Sequence, residues 1–118
     1  MSGVINDALK KILSEIEAQA ITSQKQITAS NIQRQAKEKE KKTVELILKE
    51  LSDLKNNENI YSTIGKAFIK EDIDEVKKKL TMQINDISKE IDSLNKKILY
   101  HETTLANTQP HIQRIING

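Results

Sequence analysis

A chain of 118 residues is long enough for one domain, yet its composition withholds most of what a globular core uses: aromatic residues are 3% of it and Trp is missing. Hydrophobic residues make up 36% and charged residues 31%, a balance typical of long exposed helices. The 19 basic and 17 acidic residues leave a net charge of +2, too small a field to draw nucleic acid or an anionic membrane, and the lack of Cys excludes disulfides and Cys-based zinc sites. No apolar run approaches the ~20 residues of a membrane span. The start, Met1 to Asp7, lacks the basic-then-apolar layout of a signal peptide. A soluble intracellular protein is expected.

The first element runs from about Val4 to Leu54. Apolar or small residues recur at alternating three- and four-residue steps: Leu9, Leu13, Ile16, Ala20, Ser23, Ile27, Ser30. The steps pass through Arg34, Lys37 and Lys41, then return to Val44, Leu48 and Leu51. This is a heptad seam, the pattern that lets one helix lie along another. Neither Gly nor Pro interrupts it.

Asn56, Asn57 and Asn59 end that helix, because Asn side chains compete with the helical backbone for hydrogen bonds. The following stretch, 60–70, is rich in β-formers: Ile60, Tyr61, Thr63, Ile64, Phe68 and Ile69. Gly65 sits between two such runs, where a tight turn needs a residue that tolerates φ > 0. The pattern predicts strands over 60–64 and 67–70, with Tyr61 and Phe68 supplying much of the packing surface and Lys66 in the turn. A lone two-stranded hairpin is marginal in water and leaves its edges unpaired, so other subunits are expected to cover it.

The second helix is predicted over about Asp72 to Ile116. Its seam is stricter: Ile84, Ile87, Ile91, Leu94, Ile98, His101, Leu105, Thr108, Ile112, Ile115. Leu80, Val76 and Ile73 extend the stripe upstream with a small phase slip. Asp72 and Glu75 resemble a capping box, and Asp74 adds to the acidic start. Each helix would reach ~70 Å at about 1.5 Å per residue.

The fold expected is mainly α: a long antiparallel two-helix coiled coil, one domain over 1–118, with a central β-hairpin at the end opposite the termini. Antiparallel pairing would set Leu9 beside Ile112, Ile16 beside Leu105, Ile27 beside Leu94, and Arg34 and Lys37 over Ile87 and Ile84. The tip at the two termini is more apolar than one seam needs, since Ile5, Ile12 and Ile116 join Leu9, Leu13, Leu105, Ile112 and Ile115. Pro110 lacks an N–H and should kink or loosen the second helix there.

Signals of chemistry are sparse. His101 and His111 have no Cys beside them and no metal-ligand spacing, so His101 reads as a polar seam residue and no cofactor or metal is expected. Gly65-Lys66 is similar to the end of a phosphate loop but lacks the upstream Gly. The acids Glu38 and Glu40 alternate with Lys37, Lys39, Lys41 and Lys42, as on a solvated helix face. No Ser or Thr has the context of a nucleophile. The chain is expected not to be an enzyme.

The layout of helix, then Tyr61-x-x-Ile64-Gly65-x-x-Phe68-Ile69, then helix resembles the β-type subunits of eukaryotic prefoldin. The stretches Ile21-Thr22-Ser23-Gln24-Lys25-Gln26-Ile27 and Asn31-Ile32-Gln33 are similar to their first helix. The resemblance spans nearly the whole chain. It implies a hexamer of two α-type and four β-type subunits that captures non-native proteins, actin and tubulin among them. Such complexes pass these clients to the cytosolic chaperonin without ATP. It further implies that Tyr61, Ile64, Gly65, Phe68 and Ile69 belong to an assembly hairpin. Ile5, Leu9, Leu13, Leu105, Ile112 and Ile115 would form a client-binding tip. Arg34 and Lys37 depart from the family pattern at seam positions, where their aliphatic stems would cover neighbours. The alternative is a structural coiled-coil adaptor without chaperone activity.

Overall fold

The computed structural model describes the backbone of residues 2–55 and 66–117, and side chains at 6–54, 72–111, 113 and 114. Among the described residues there are two helices, α1 over Ser2–Lys55 (54 residues) and α2 over Lys66–Asn117 (52 residues). Helix α2 carries Arg114 in its last turn, where a cation suits the negative end of the helix dipole. Pro110 lies inside α2 at an exposed position, and the helix continues past it.

The buried positions follow the heptad closely. On α1 they are residues 13, 16, 20, 23, 27, 30, 34, 37, 41, 44, 48 and 51, each buried or half-buried at unbroken three- and four-residue steps. A few positions flanking that line, such as Gln26 and Asn31, are half-buried too. Arg34, Lys37 and Lys41 keep the line through the middle of the helix, as long stems can. On α2 the line is 73, 77, 80, 84, 87, 91, 94, 98, 101, 105 and 108. Here the expected phase slip is absent. Val76 is exposed and Lys77 holds the seam position, so strict periodicity decides over residue polarity.

The chain divides into two compact units. Unit 1 joins Met1–Gln33 with Ser93–Gly118, and unit 2 is Arg34–Asp92. Within unit 1 the buried side chains are Ser23, Ile27, Ser30, Ile98 and Thr108. Two are serines, small enough to let a neighbouring helix come close. Within unit 2 they are Val44, Ile73 and Ile87.

Unit 2 shows the helices to be antiparallel. Lys37 Nζ lies 2.7 Å from Glu90 Oε2, while Leu48 and Ser52, further along α1, share a groove with Lys77, Lys78, Thr81 and Met82, further back along α2. The register differs from the expected one. Lys37 reaches Glu90, more than a helical turn beyond Ile84, and Ile91 lies with Glu38, Lys41, Lys42 and Glu45. A heptad repeat keeps its seam when one helix slides by seven residues, so periodicity leaves register open.

The expected β-hairpin is overturned. Its second strand, 67–70, with Phe68 and Ile69, is the first part of α2, and Lys66 begins that helix instead of sitting in a turn. The first strand, 60–64, with Tyr61, Ile64 and Gly65, lies outside the described residues. Among the described residues there is no strand. The physical reason is cooperativity. Nucleating a helix is costly and extending one is cheap, so α2 propagates back through Lys70, Ala67 and Lys66, all good helix formers. Phe68 and Ile69 oppose this by only a few tenths of a kcal/mol each, about the spread of the helix scale. The proposed capping box at Asp72 and Glu75 therefore falls inside the helix, where both residues are exposed.

Candidate functional site

Burial of the α1 seam fades toward its N-terminal end. Ser30, Ile27 and Ser23 are buried at 1%, 7% and 4% exposure. Ala20, Ile16 and Leu13 are half-buried, and Leu9 is 40% exposed with Ile12 beside it at 46%. From Ala20 to Leu9 the seam residues are apolar while their cover is lost. Leu105 on α2, in the same unit, is half-buried. Ile5, Ile112 and Ile115 lie in the helices of unit 1, and their side chains are outside the described set. The unit thus holds every residue expected at the tip, with Ile12 and Leu9 the most exposed of those whose side chains are described.

Sequence reasoning missed a second class of exposed apolar residue in this unit: Ile21, Ile32, Leu99 and Tyr100. All lie off the seam. Ile21 and Ile32 border a shallow groove on α1 with Gln24, Lys25, Thr28 and Ala29. The signal was present in their spacing, about three turns apart on one face, but a seam-centred reading passes over it.

The polar groups are mostly spent locally. The hydroxyls of Thr22, Thr28, Thr43, Ser52, Thr81, Thr104 and Thr108 donate to the carbonyl four residues before, at 2.6–3.0 Å. None of these is poised as a nucleophile. The His101 ring meets Tyr100 edge to face at 5.2 Å. No group of three or more metal-ligating side chains comes together among the described residues. No described helix is long and apolar enough to cross a membrane. Lys37 bridges two carboxylates. It pairs with Glu90 at 2.7 Å across the helices and with Glu40 at 3.4 Å along its own. The hydrogen bond to Glu90 leads in raising its pKa above the ordinary 10.5, with Glu40 adding to it.

In unit 2 the helices run antiparallel along heptad seams, and in unit 1 the apolar seam is exposed toward Leu9, features of a coiled-coil protein. The family model described as "Prefoldin subunit" matches residues 14–118, and the chain belongs to that family, which consists of chaperone subunits and not of enzymes. The resemblance read from the sequence is therefore borne out. Within the family the chain is similar to proteins named prefoldin subunit 1. It is 36% identical over 107 residues to "Probable prefoldin subunit 1" of Schizosaccharomyces pombe, covering 91% of this chain and 96% of that protein. It is 24% identical to "Prefoldin subunit 1" of Tetraodon nigroviridis and 23% identical to that of Homo sapiens, each over 116 residues, 98% of this chain and 95% of the relative. No solved structure matches significantly.

Proposed function

We propose that this chain is one subunit of a hetero-hexameric, ATP-independent co-chaperone in the cytoplasm. It captures non-native proteins of the actin and tubulin class and passes them to the cytosolic chaperonin. The observation that carries the reading is the fading of seam burial toward Leu9, in a chain of the prefoldin subunit family. Apolar contact is non-directional, so an uncovered apolar seam accepts many unfolded sequences without a shaped pocket. Ile5, Leu9, Leu13, Leu105, Ile112 and Ile115 form the client-binding surface. Tyr61, Ile64, Gly65, Phe68 and Ile69 belong to the assembly surface that meets α-type and β-type subunits.

The test uses the reconstituted hexamer. Replacing Leu9, Ile112 and Ile115 by Ser is expected to abolish suppression of actin aggregation while the particle keeps its size on gel filtration. Unchanged suppression would remove the client role from these residues. Failure of the chain to enter a complex with an α-type subunit would favour the adaptor alternative.

A further inference from the structure

Unit 2 carries a groove that the proposed function does not use. It lies between the helices and is lined by Leu48 and Ser52 of α1 and by Lys77, Lys78, Thr81 and Met82 of α2. Its apolar part is Leu48, half-buried, and Met82, 65% exposed. An unbranched thioether in such a place adapts to whatever side chain is laid against it. The two hydroxyls are already engaged: Ser52 donates to the Leu48 carbonyl at 3.0 Å and Thr81 to the Lys77 carbonyl at 2.8 Å. The donors left to a ligand are the two ammonium groups. Among the described residues neither Lys77 nor Lys78 forms an ion pair, and no carboxylate lines the groove. Lys77 is half-buried, so its stem lies along the seam and carries its charge to the rim.

We infer that this groove docks an acidic peptide segment bearing one apolar residue, supplied by another protein. The charge complement decides the occupant. Carboxylates satisfy the two lysines, and an apolar side chain covers Leu48 and Met82. A second copy of this groove is a poor occupant, since it would bring like charges together. A fully apolar segment would gain nothing from the two ammoniums, which it would leave to water. The site is separate from the tip residues, all of which lie in unit 1.

The test measures fluorescence anisotropy of a fluorescein-labelled acidic peptide carrying one leucine, titrated with the full chain. Binding is expected to weaken about fivefold for Lys78→Glu, in line with the loss and reversal of one exposed charge pair. It is expected to weaken about tenfold when the peptide leucine is changed to alanine. Lys77→Glu with Lys78→Glu should abolish it. Because Lys77 is a seam residue, Lys78→Glu and Met82→Ala, both at exposed positions, carry the test if circular dichroism shows the double variant to have lost helix. Raising the salt concentration should weaken binding further. Equal binding of a peptide whose acids are amidated would overturn the proposal. So would displacement by a single-stranded oligonucleotide with no dependence on the leucine, or self-association of the chain reversed by Lys78→Glu. No detectable binding of the acidic peptide at ~1 mM, the weak end of specific recognition, would overturn it as well.

Discussion

Ser30 is the most buried side chain described, at 1% exposure, and its Oγ has no hydrogen-bond partner. A buried hydroxyl left unmade costs about 1–3 kcal/mol relative to one that is satisfied. Changing it to alanine removes the stranded group, leaves only a hydroxyl-sized gap, and adds up to ~0.5 kcal/mol of helix propensity. Ser30→Ala should therefore stabilise the chain by about 1–2 kcal/mol, which for a domain of this size is a rise in Tm on the order of 4–8 °C. Ser30→Leu should act the other way. The site has no room, and overpacking costs about 1–3 kcal/mol. Both are read by thermal unfolding of the isolated chain, followed by circular dichroism at 222 nm, the α-helix signal. A fall in Tm for the alanine variant would refute the reasoning, since it would mean that the hydroxyl is satisfied, for example by a buried water.

Two further outcomes follow from the seam of unit 2. Ile87 is 3% exposed, so Ile87→Ala should cost about 2–5 kcal/mol in denaturant unfolding, while Met82→Ala, on the surface, should stay within about 0.5 kcal/mol. Glu90→Gln removes the leading partner of Lys37 and should lower Tm slightly. Because that partner raises the Lys37 pKa, its stabilisation is complete below 10.5 and is lost as pH rises through the raised value. The Tm difference between the two proteins should accordingly close in strongly alkaline buffer, and should shrink with salt at neutral pH. A difference that persisted at high pH would assign the effect to packing and not to charge.

The candidate site was only partly legible in the sequence. The apolar excess near both termini could be counted directly, because Ile5, Leu9, Ile12 and Ile112 are plain in the chain. How much of it is uncovered could not. Leu9 and Leu48 look alike on a heptad diagram, yet Leu9 is exposed and Leu48 half-buried. The groove of Leu48, Lys77, Lys78 and Met82 was wholly invisible, since it depends on which parts of two distant segments meet. Ser30 reads as a tolerated small residue, and only packing reveals that its hydroxyl is stranded.

By itself the sequence determined most of the residues that face inward, Val76 being an exception, and which family the chain joins. Inward facing is set by a period of 3.5, which survives even where Arg34, Lys37, Lys41 and Lys77 stand in apolar positions. The tertiary structure decided the rest. It continued α2 back to Lys66 through residues with β preference, because β propensity is mostly a statement about neighbours and helix extension is cheap once a helix exists. It also chose the register that brings Lys37 to Glu90, one of several that the same heptads permit. That choice rests on which side chains meet across the seam, a quantity that no single helix contains.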